Sequence, residues 1–339
     1  MSELANPAPP GRKKAATLAD VARLAGVSPM TASRVVNTPE RVNEVLAARV
    51  RNAVDLLGYV PNAMAAGLRV SKARMVAALL PTLIGPVFQE LVTSLSNAFA
   101  AQGYQLMIGQ IGYGPVEDLA AIRSVIQRRP DGIVMVGLCR SPEGFRMLRA
   151  SGIPVVETWD LSANPVDMLV GFSHTQIGSA VAEYLYRKGY RDVGIITAAD
   201  PRAQAREKAF IERSHELGAR SARAFYTVAP STVGSGRAGL ADLLGAPLSG
   251  VFCSSDSLAL GAAIEAQSRG LRVPGQLAIV GMGDQSFAQD AEPPLTTVRL
   301  DGTRIGRLAA EMIFARAQGA PVEMPIVDLG FEIVERSST

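Results

Sequence analysis

The stretch TLADVARLAGVSPMTASRVVN, from Thr17 to Asn37, constrains what this chain can fold into more than any other. Thr17 followed three residues later by Asp20 is a capping box, so a helix starts there. Leu18, Val21, Ala22 and Ala25 recur at helical spacing and form one apolar face. Gly26 ends the helix, because a sharp turn needs the left-handed conformation that glycine tolerates. Ser28 then caps a second helix, with Pro29 at its first position, where no amide hydrogen is missed. Ala32, Val35 and Val36 turn inward on that helix, while Pro29, Met30, Ser33 and Arg34 face outward near its start. Two short helices joined by a glycine turn make a helix-turn-helix. A plain helical hairpin inside another all-α domain is the alternative on this pattern alone.

The segment that follows narrows the choice. Val42 to Leu57 reads as a third amphipathic helix, with Val42, Val45, Leu46, Arg49, Val50, Ala53, Val54 and Leu57 on one face and Gly58 closing it. GYVPNAMAAGLR comes next. The pieces LADVARLAGVS, TASRVVN and GYVPNAMAAGL resemble the DNA-binding head of the LacI/GalR family of bacterial transcription regulators. Residues 62–69 are expected to form a short helix capped by Asn62, too brief to be stable alone in water. The resemblance implies a hinge helix that folds on operator DNA and wedges Leu68 between minor-groove base steps. Gly67, not the commonest residue at its position, would make that folding costlier. A simple interdomain linker is the other reading of this segment.

Charge is distributed unevenly. Residues 1–72 carry ten Lys or Arg against five Asp or Glu, a net +5, and the remainder a net −2. A basic head on a slightly acidic body suits a nucleic-acid module joined to a domain of another role. The leader, residues 1–16, is rich in Pro and Ala and reads as disordered. Its Arg12-Lys13-Lys14 cluster either adds phosphate contacts or serves only solubility. It lacks an apolar signal core, and no apolar run is long enough to span a bilayer, so a cytoplasmic protein without membrane attachment is expected. Cys139 and Cys253, each inside an apolar run, read as small buried thiols with no disulfide framework and no metal spacing.

From Met75 the pattern changes to apolar runs of strand length alternating with amphipathic helices. MVAALLP, YQLMIGQI, DGIVMVGL, IPVVET, DMLVGF, DVGIITA, ARAFYTV, SGVFCSS and QLAIVGM are the expected strands. Near-continuous apolar strands, each followed by a helix, argue buried parallel sheets. Their number suggests two sheets, one ending near Phe172 and the other starting near Val193. VFCSSDSLALGAAIEAQSRGLRVPGQLAIVGMGD and EPPLTTVRLDGTRIGRLAAEMI run along the family pattern, with Asp256 capping a helix and PPLTTV leading into a crossover back to the first lobe. The expected fold is therefore an all-α helix-turn-helix head (17–61), a hinge (62–73) and an α/β body (74–339) of two parallel-sheet lobes like the type I periplasmic binding proteins. Ligands in such folds lie beyond the carboxyl ends of the strands, here in the cleft between lobes. PVFQEL, AQGYQLMIGQIGYGP and DLGF look most like the gluconate-operon repressor subgroup.

A recognition helix reads bases with its first exposed turns. Arg34 offers a bidentate fork to guanine. Met30, one turn earlier, suits a thymine methyl or else fills core. Thr31 and Ser33 suit bases or phosphates, and Asn37 a phosphate; the resemblance adds Thr17 and Pro29 to the DNA-facing set. The family binds pseudo-palindromic operators as homodimers. No heptad extension follows DLGFEIVERSST, so no helical tetramerisation tail is expected. For the effector, Arg206 matches the family's cleft arginine, with Ala209 where glycine is usual. Asp256 and Asp284 are candidate acceptors for hydroxyls, Asp256 otherwise acting only as a cap. Phe88 and Trp159 would lie against a sugar's carbon face, or the lone Trp fills core. Two departures stand out: Gly281-Met282-Gly283-Asp284 loses a usual sugar-binding acid at Gly283, and Ser173-His174 replaces Asp-Asn. An arginine with fewer carboxylates favours an anionic sugar over a neutral one, in agreement with a sugar acid such as gluconate; a neutral or a phosphorylated sugar is the alternative.

An enzyme reading rests on Gly234-Ser-Gly-Arg-Ala-Gly239, a literal G-x-G-x-x-G. A dinucleotide site needs that motif directly after a strand, and Pro230, Ser231 and Thr232 intervene, so a helix start or loop is expected. His174 and His215 read as surface or capping residues. Neither catalysis nor a cofactor is expected, and the missing signal peptide opposes a transport solute-binding protein. The expectation is a DNA-binding repressor under small-molecule control. Arg34→Ala should weaken operator binding by about 1–3 kcal/mol and relax preference at one base pair. Gel-shift titration over a set of single-base operator variants checks this, and equal loss on every sequence would make Arg34 a phosphate anchor instead.

Overall fold

The computed structural model describes residues 16–37, 42–60, 73–83, 87–112 and 114–339. The chain divides into two compact units, Met1–Ala73 and Arg74–Thr339.

In the first unit α1 (Leu18–Ala25), α2 (Pro29–Asn37) and α3 (Glu44–Leu57) surround a small core of Val21, Ala22, Ala25, Ala32, Val35, Ala47, Val50 and Ala53. The capping box is formed: the Asp20 amide donates to Thr17 Oγ1 at 3.3 Å and the Thr17 amide to Asp20 Oδ2 at 3.0 Å. Gly26 takes φ 61°, and Ser28 Oγ accepts from the Thr31 amide at 3.1 Å. Arg49 reaches back from α3 and donates to the Ala25 carbonyl at 2.6 Å, satisfying an orphan carbonyl at the end of α1. The third helix begins later than its apolar pattern suggests, after an Asn43 cap, and Val45 and Leu57 are exposed. Ala47 takes the inward position, because small residues let three short helices approach closely.

The second unit holds two six-stranded sheets of the same winding. The first has the order β2-β1-β3-β4-β5-β11, built from Met75–Leu80 (β1), Gln105–Gln110 (β2), Gly132–Val136 (β3), Val155–Thr158 (β4), Met168–Gly171 (β5) and Ile326–Asp328 (β11). The second has the order β7-β6-β8-β9-β10-β12, built from Asp192–Ala198 (β6), Ser221–Thr227 (β7), Gly250–Cys253 (β8), Ala278–Gly283 (β9), Thr296–Arg299 (β10) and Glu332–Val334 (β12). All pairings are parallel except β12 on β10. The helices are α4 (Gln89–Ala101), α5 (Pro115–Ile126), α6 (Pro142–Ser151), α7 (His174–Arg187), α8 (Pro201–Glu216), α9 (Val233–Leu243), α10 (Asp256–Ser268) and α11 (Gly302–Ala317). The chain crosses between lobes after β5, returns through α11, and then adds one short edge strand to each sheet. Those edges, β11 and β12, carry no continuous apolar pattern and are not legible in the sequence. β10, within the PPLTTV segment taken for a lead into the crossover, is a buried strand beside β9.

Two expectations are corrected here. Ser255, not Asp256, caps α10: its Oγ accepts from the Leu258 amide at 3.3 Å. Cys253 is fully buried, but Cys139 is only half-buried, and its thiol is pushed up to about 11 by desolvation. The expected helix start is found at Gly234-Ser-Gly-Arg-Ala-Gly239: all three glycines lie inside α9 after a Thr232 cap, and Gly236 and Gly239 are packed closely. A Cβ on Gly236 would lie 2.1 Å from the Leu258 carbonyl oxygen, and one on Gly261 2.0 Å from that of Val233. Backbone meets backbone where α9 crosses α10, so neither side can yield. Gly236→Ala should therefore destabilise the body by about 1–3 kcal/mol through overpacking, read as a lower urea midpoint with an unchanged slope.

Candidate functional site

A cavity of about 110 Å³ opens between the lobes of the body, where β1, β4, β6 and β8 end. Phe88, Trp159, His174, Arg202 and Arg206 provide its aromatic and cationic walls, and Thr82, Ser231, Ser254, Ser255 and Ser257 line it with hydroxyls. Phe88 precedes α4, Trp159 follows β4, His174 opens α7, and Arg202 and Arg206 stand one turn apart on α8. The rings form a file: Phe88 to Trp159 at 5.2 Å, Trp159 to Phe172 at 5.7 Å and Phe172 to His174 at 5.1 Å, all edge to face.

Arg206 is the deepest charge at this site, only 5% exposed. Its Nη1 lies 2.7 Å from His174 Nδ1. A guanidinium has no acceptor, so it must donate, and Nδ1 carries no hydrogen. Nε2 then holds the imidazole hydrogen and donates to the Trp159 carbonyl at 3.0 Å. Burial, followed by the positive charges of Arg206 and Arg202, holds the His174 pKa well below its ordinary 6.5, so the ring is neutral. Burial also lowers Arg206, to about 10, and leaves it cationic at neutral pH. Arg206 Nε and Arg202 Nη1 are both buried without any hydrogen-bond partner. Asp200 lies 3.8 Å from Arg202 Nε. The Asp160 carboxyl is raised by burial despite both arginines. The site thus presents Arg206 with an unpaired donor, Arg202 beside the wall carboxylate Asp200, hydroxyls and an aromatic wall, and the buried Arg206 suits a small polar anion.

The other two candidate acceptors are engaged elsewhere. Asp256 is fully buried, its Oδ1 accepting from Thr297 Oγ1 at 2.5 Å and its Oδ2 from the Gln285 amide at 2.7 Å. Asp284 accepts from Arg299 Nε and from Arg336 Nη2, each at 2.6 Å. Neither lines the cavity. A buried carboxylate gains more from fixed donors in its own lobe than from a cleft, and both serve as braces between strands.

In the head, Met30 is 69% exposed on α2, and Pro29 and Arg34 are exposed beside it, so Met30 is no core filler of this unit. Thr31 and Ser33 are half-buried. Thr31 Oγ1 lies 2.9 Å from Ser28 Oγ, and the Asn37 side chain donates to the Ser33 carbonyl at 2.8 Å. Thr17 is held by its cap. Asn62 and Leu68, with residues 1–15, lie outside the described residues.

Comparison with known proteins adds the decisive observation. Residues 17–62 match "Bacterial regulatory proteins, lacI family" and residues 182–339 match "Periplasmic binding protein-like domain". The chain is 36% identical over 327 residues to the HTH-type transcriptional regulator GntR of Pseudomonas aeruginosa, covering 95% of each chain. It is 32% identical to the regulator of that name from Escherichia coli K12, covering 95% of this chain and 98% of that one. The chain belongs to the LacI family. A crystal structure of a LacI-family transcriptional regulator from Silicibacter pomeroyi superimposes with a TM-score of 0.89 at 31% identity, over 95% of this chain and 99% of that one.

This LacI-family chain is thus a DNA-binding transcriptional regulator with a two-lobed body. Among the described residues no helix is long and apolar enough to cross a membrane, and no acidic or His/Cys cluster is placed to hold a metal. Sequence reasoning missed His174 and Arg202 as site residues. His174, read as surface or cap, is 4% exposed at the N-terminus of α7. The departure Ser173-His174 marked its position, and the four-residue spacing of Arg202 and Arg206 on one helix was the signal for the second arginine.

The neutral His174 makes stability depend on pH with a definite sign. Below its unfolded value near 6.5 the unfolded chain takes up a proton that the folded chain refuses, so this contribution is present above that pH and lost as pH falls. The slope approaches about 1.4 kcal/mol per pH unit. His174→Gln, which keeps a donor and an acceptor, should lose less stability than the parent between pH 7 and pH 5.5 in urea unfolding; equal losses would contradict a neutral buried ring.

Proposed function

We propose that this regulator is a repressor whose operator affinity is controlled by a sugar acid such as gluconate bound between the lobes. The observation that carries the reading is the buried Arg206, partnered by a neutral imidazole and with Nε unpaired. A carboxylate partner from the protein would cancel the guanidinium charge and leave a site for neutral sugars. A neutral acceptor leaves the charge for a ligand to match. Charged hydrogen bonds in such a site contribute about 1.5–3 kcal/mol each. Phe88 and Trp159 offer a face for the carbon backbone, and the serines accept or donate to hydroxyls. Asp256 and Asp284 act indirectly, by fixing the lobe that carries Ser254, Ser255 and Met282.

In this reading Pro29, Met30, Thr31, Ser33, Arg34 and Asn37 meet the major groove, and Thr17 a backbone phosphate. Asn62 and Leu68 belong to a hinge that folds on DNA. Two copies read a pseudo-palindrome, since one short helix contacts too few base pairs for genomic discrimination. Effector draws the lobes together, shifts the contact between copies and destabilises the hinges. Linkage then requires operator DNA to weaken effector binding by the same factor.

Calorimetry on the full chain tests the effector. Gluconate should bind, Arg206→Ala should weaken it by about 10–100-fold, and gluconate should release operator DNA in a gel shift. A neutral hexose that binds more tightly than gluconate and is lost with Arg206→Ala would overturn the assignment.

A further inference from the structure

β7, Ser221–Thr227, is the outermost strand of the second sheet and pairs only with β6. The other free edges are managed. β11 and β12 are three residues long, and β2 carries Gly109, which weakens a strand. β7 has seven residues and no Gly, Pro or Lys. Its one charge, Arg223, is turned back to donate to the Leu243 carbonyl at 2.7 Å. α8 packs on one face of the strand and α9 on the other, and among the described residues no strand lies along its outer rim. Tyr226 is 54% exposed, and Val228, just past the strand, 86%.

The register with β6 fixes which backbone groups are open. Ser221 is opposite Asp192, and its amide donates to the Arg191 carbonyl at 3.4 Å. Ser221, Arg223, Phe225 and Thr227 therefore turn their amides and carbonyls toward β6, and Ala222, Ala224 and Tyr226 turn theirs outward. Such a row of unpaired groups is a template for another strand. A second β7 laid antiparallel, with the two Ala224 residues opposite each other, uses all of them. Ala224 exchanges both of its bonds with Ala224 of the second copy, and Ala222 exchanges both with Tyr226 in each direction.

The side chains agree with that register. On the α8 face each Tyr226 is opposite the small Ala222, and the two Ala224 methyls meet at the centre. On the α9 face Arg223 is opposite Phe225 and Ser221 opposite Thr227, so no like charges are paired. Tyr226 also walls an open groove along α8 with Glu207, Lys208, Ile211 and Glu212. The groove carries both signs, with Lys208 Nζ 3.9 Å from Glu212 Oε1. Two such grooves related by a two-fold axis offer acid to base in both directions, the self-complementarity that a symmetric contact requires.

We propose that β7 is a self-association edge, through which two copies of this chain join antiparallel at Ala222, Ala224 and Tyr226 and merge their second sheets into one. The contact is additional to the pairing proposed above for a pseudo-palindrome, and the two together give four chains without a helical tail. That count rests on the earlier pairing; the β7 contact does not.

Sedimentation velocity on the full-length protein, at low and high micromolar concentration, tests it. The parent should reach the mass of four chains at the higher concentration. Ala224→Pro removes the outward amide at the centre of the pairing and spares the bonds to β6, and Tyr226→Lys places a charge on the rim beside Glu207. Each should weaken the association by about tenfold or more and halve the mass, with the parent's far-UV spectrum and melting temperature kept. Tyr226→Lys decides alone if Ala224→Pro does not fold. Deuterium exchange gives a local readout: the peptide 221–227 should gain protection with concentration in the parent and not in the variants. A parent of two chains that the variants reduce to one supports the β7 contact and overturns only the separate pairing on a pseudo-palindrome. A mass that the folded variants leave at the parent's value, whatever the number of chains, overturns the proposal.

Discussion

A positive charge held inside the body, with a neutral ring as its hydrogen-bond partner, organises the ligand-facing part of this molecule. Arg206 donates to His174, and His174 donates to the Trp159 carbonyl, so three elements of two lobes are joined by a chain of hydrogen bonds with defined direction. Removing a charge from water is tolerated only when its donors are met. Here one of them is met by an imidazole that cannot itself become charged beside two arginines. The Arg206 Nε is left without a partner. The same contact fixes the histidine tautomer, the orientation of the loop after β4 and the place of the indole.

The two lobes repeat one winding, and the repetition shows how each edge of the cleft is made. Trp159 directly follows β4, and Asp284 directly follows β9, the corresponding strand of the other sheet. Both take left-handed backbone conformations, φ 67° and 51°, which are uncommon for residues with side chains. Such conformations cost on the order of 1–3 kcal/mol and persist where the surroundings over-determine them. For Asp284 the over-determination is two arginines on its carboxylate. For Trp159 it is the aromatic file and the hydrogen bond to its carbonyl. One lobe spends this device on internal bracing, and the other turns a large ring toward ligand.

The head is built on different terms. Its core is mostly alanine and valine, so its helices are placed by caps and by close approach more than by bulk. Thr17, Gly26 and Ser28 define where the helices begin and stop, and Arg49 ties the end of α1 to α3. With its few inward positions filled by small side chains, α2 leaves Met30 exposed near its start and Arg34 exposed one turn later.

Local rules were enough to read the helix-turn-helix, because caps, glycine turns and 3.6-residue periodicity act over a few neighbouring residues. The alternation of buried strands and helices was legible for the same reason, and it carried the two-lobed class of fold. Phe88, Trp159 and Arg206 were recognised as candidates for one site through family likeness, and the fold brings them to one cavity. Tertiary structure alone decided the rest. The edge strands β11 and β12 depend on pairing with residues more than a hundred positions away or on the far side of a lobe crossing, which no local pattern encodes. Asp256 and Asp284 were plausible ligand acceptors until packing placed Thr297, Arg299 and Arg336 within reach. His174 changed from a surface residue to a buried neutral acceptor because its protonation and partners are set by which charges the fold assembles around it, and burial is a property of the folded whole.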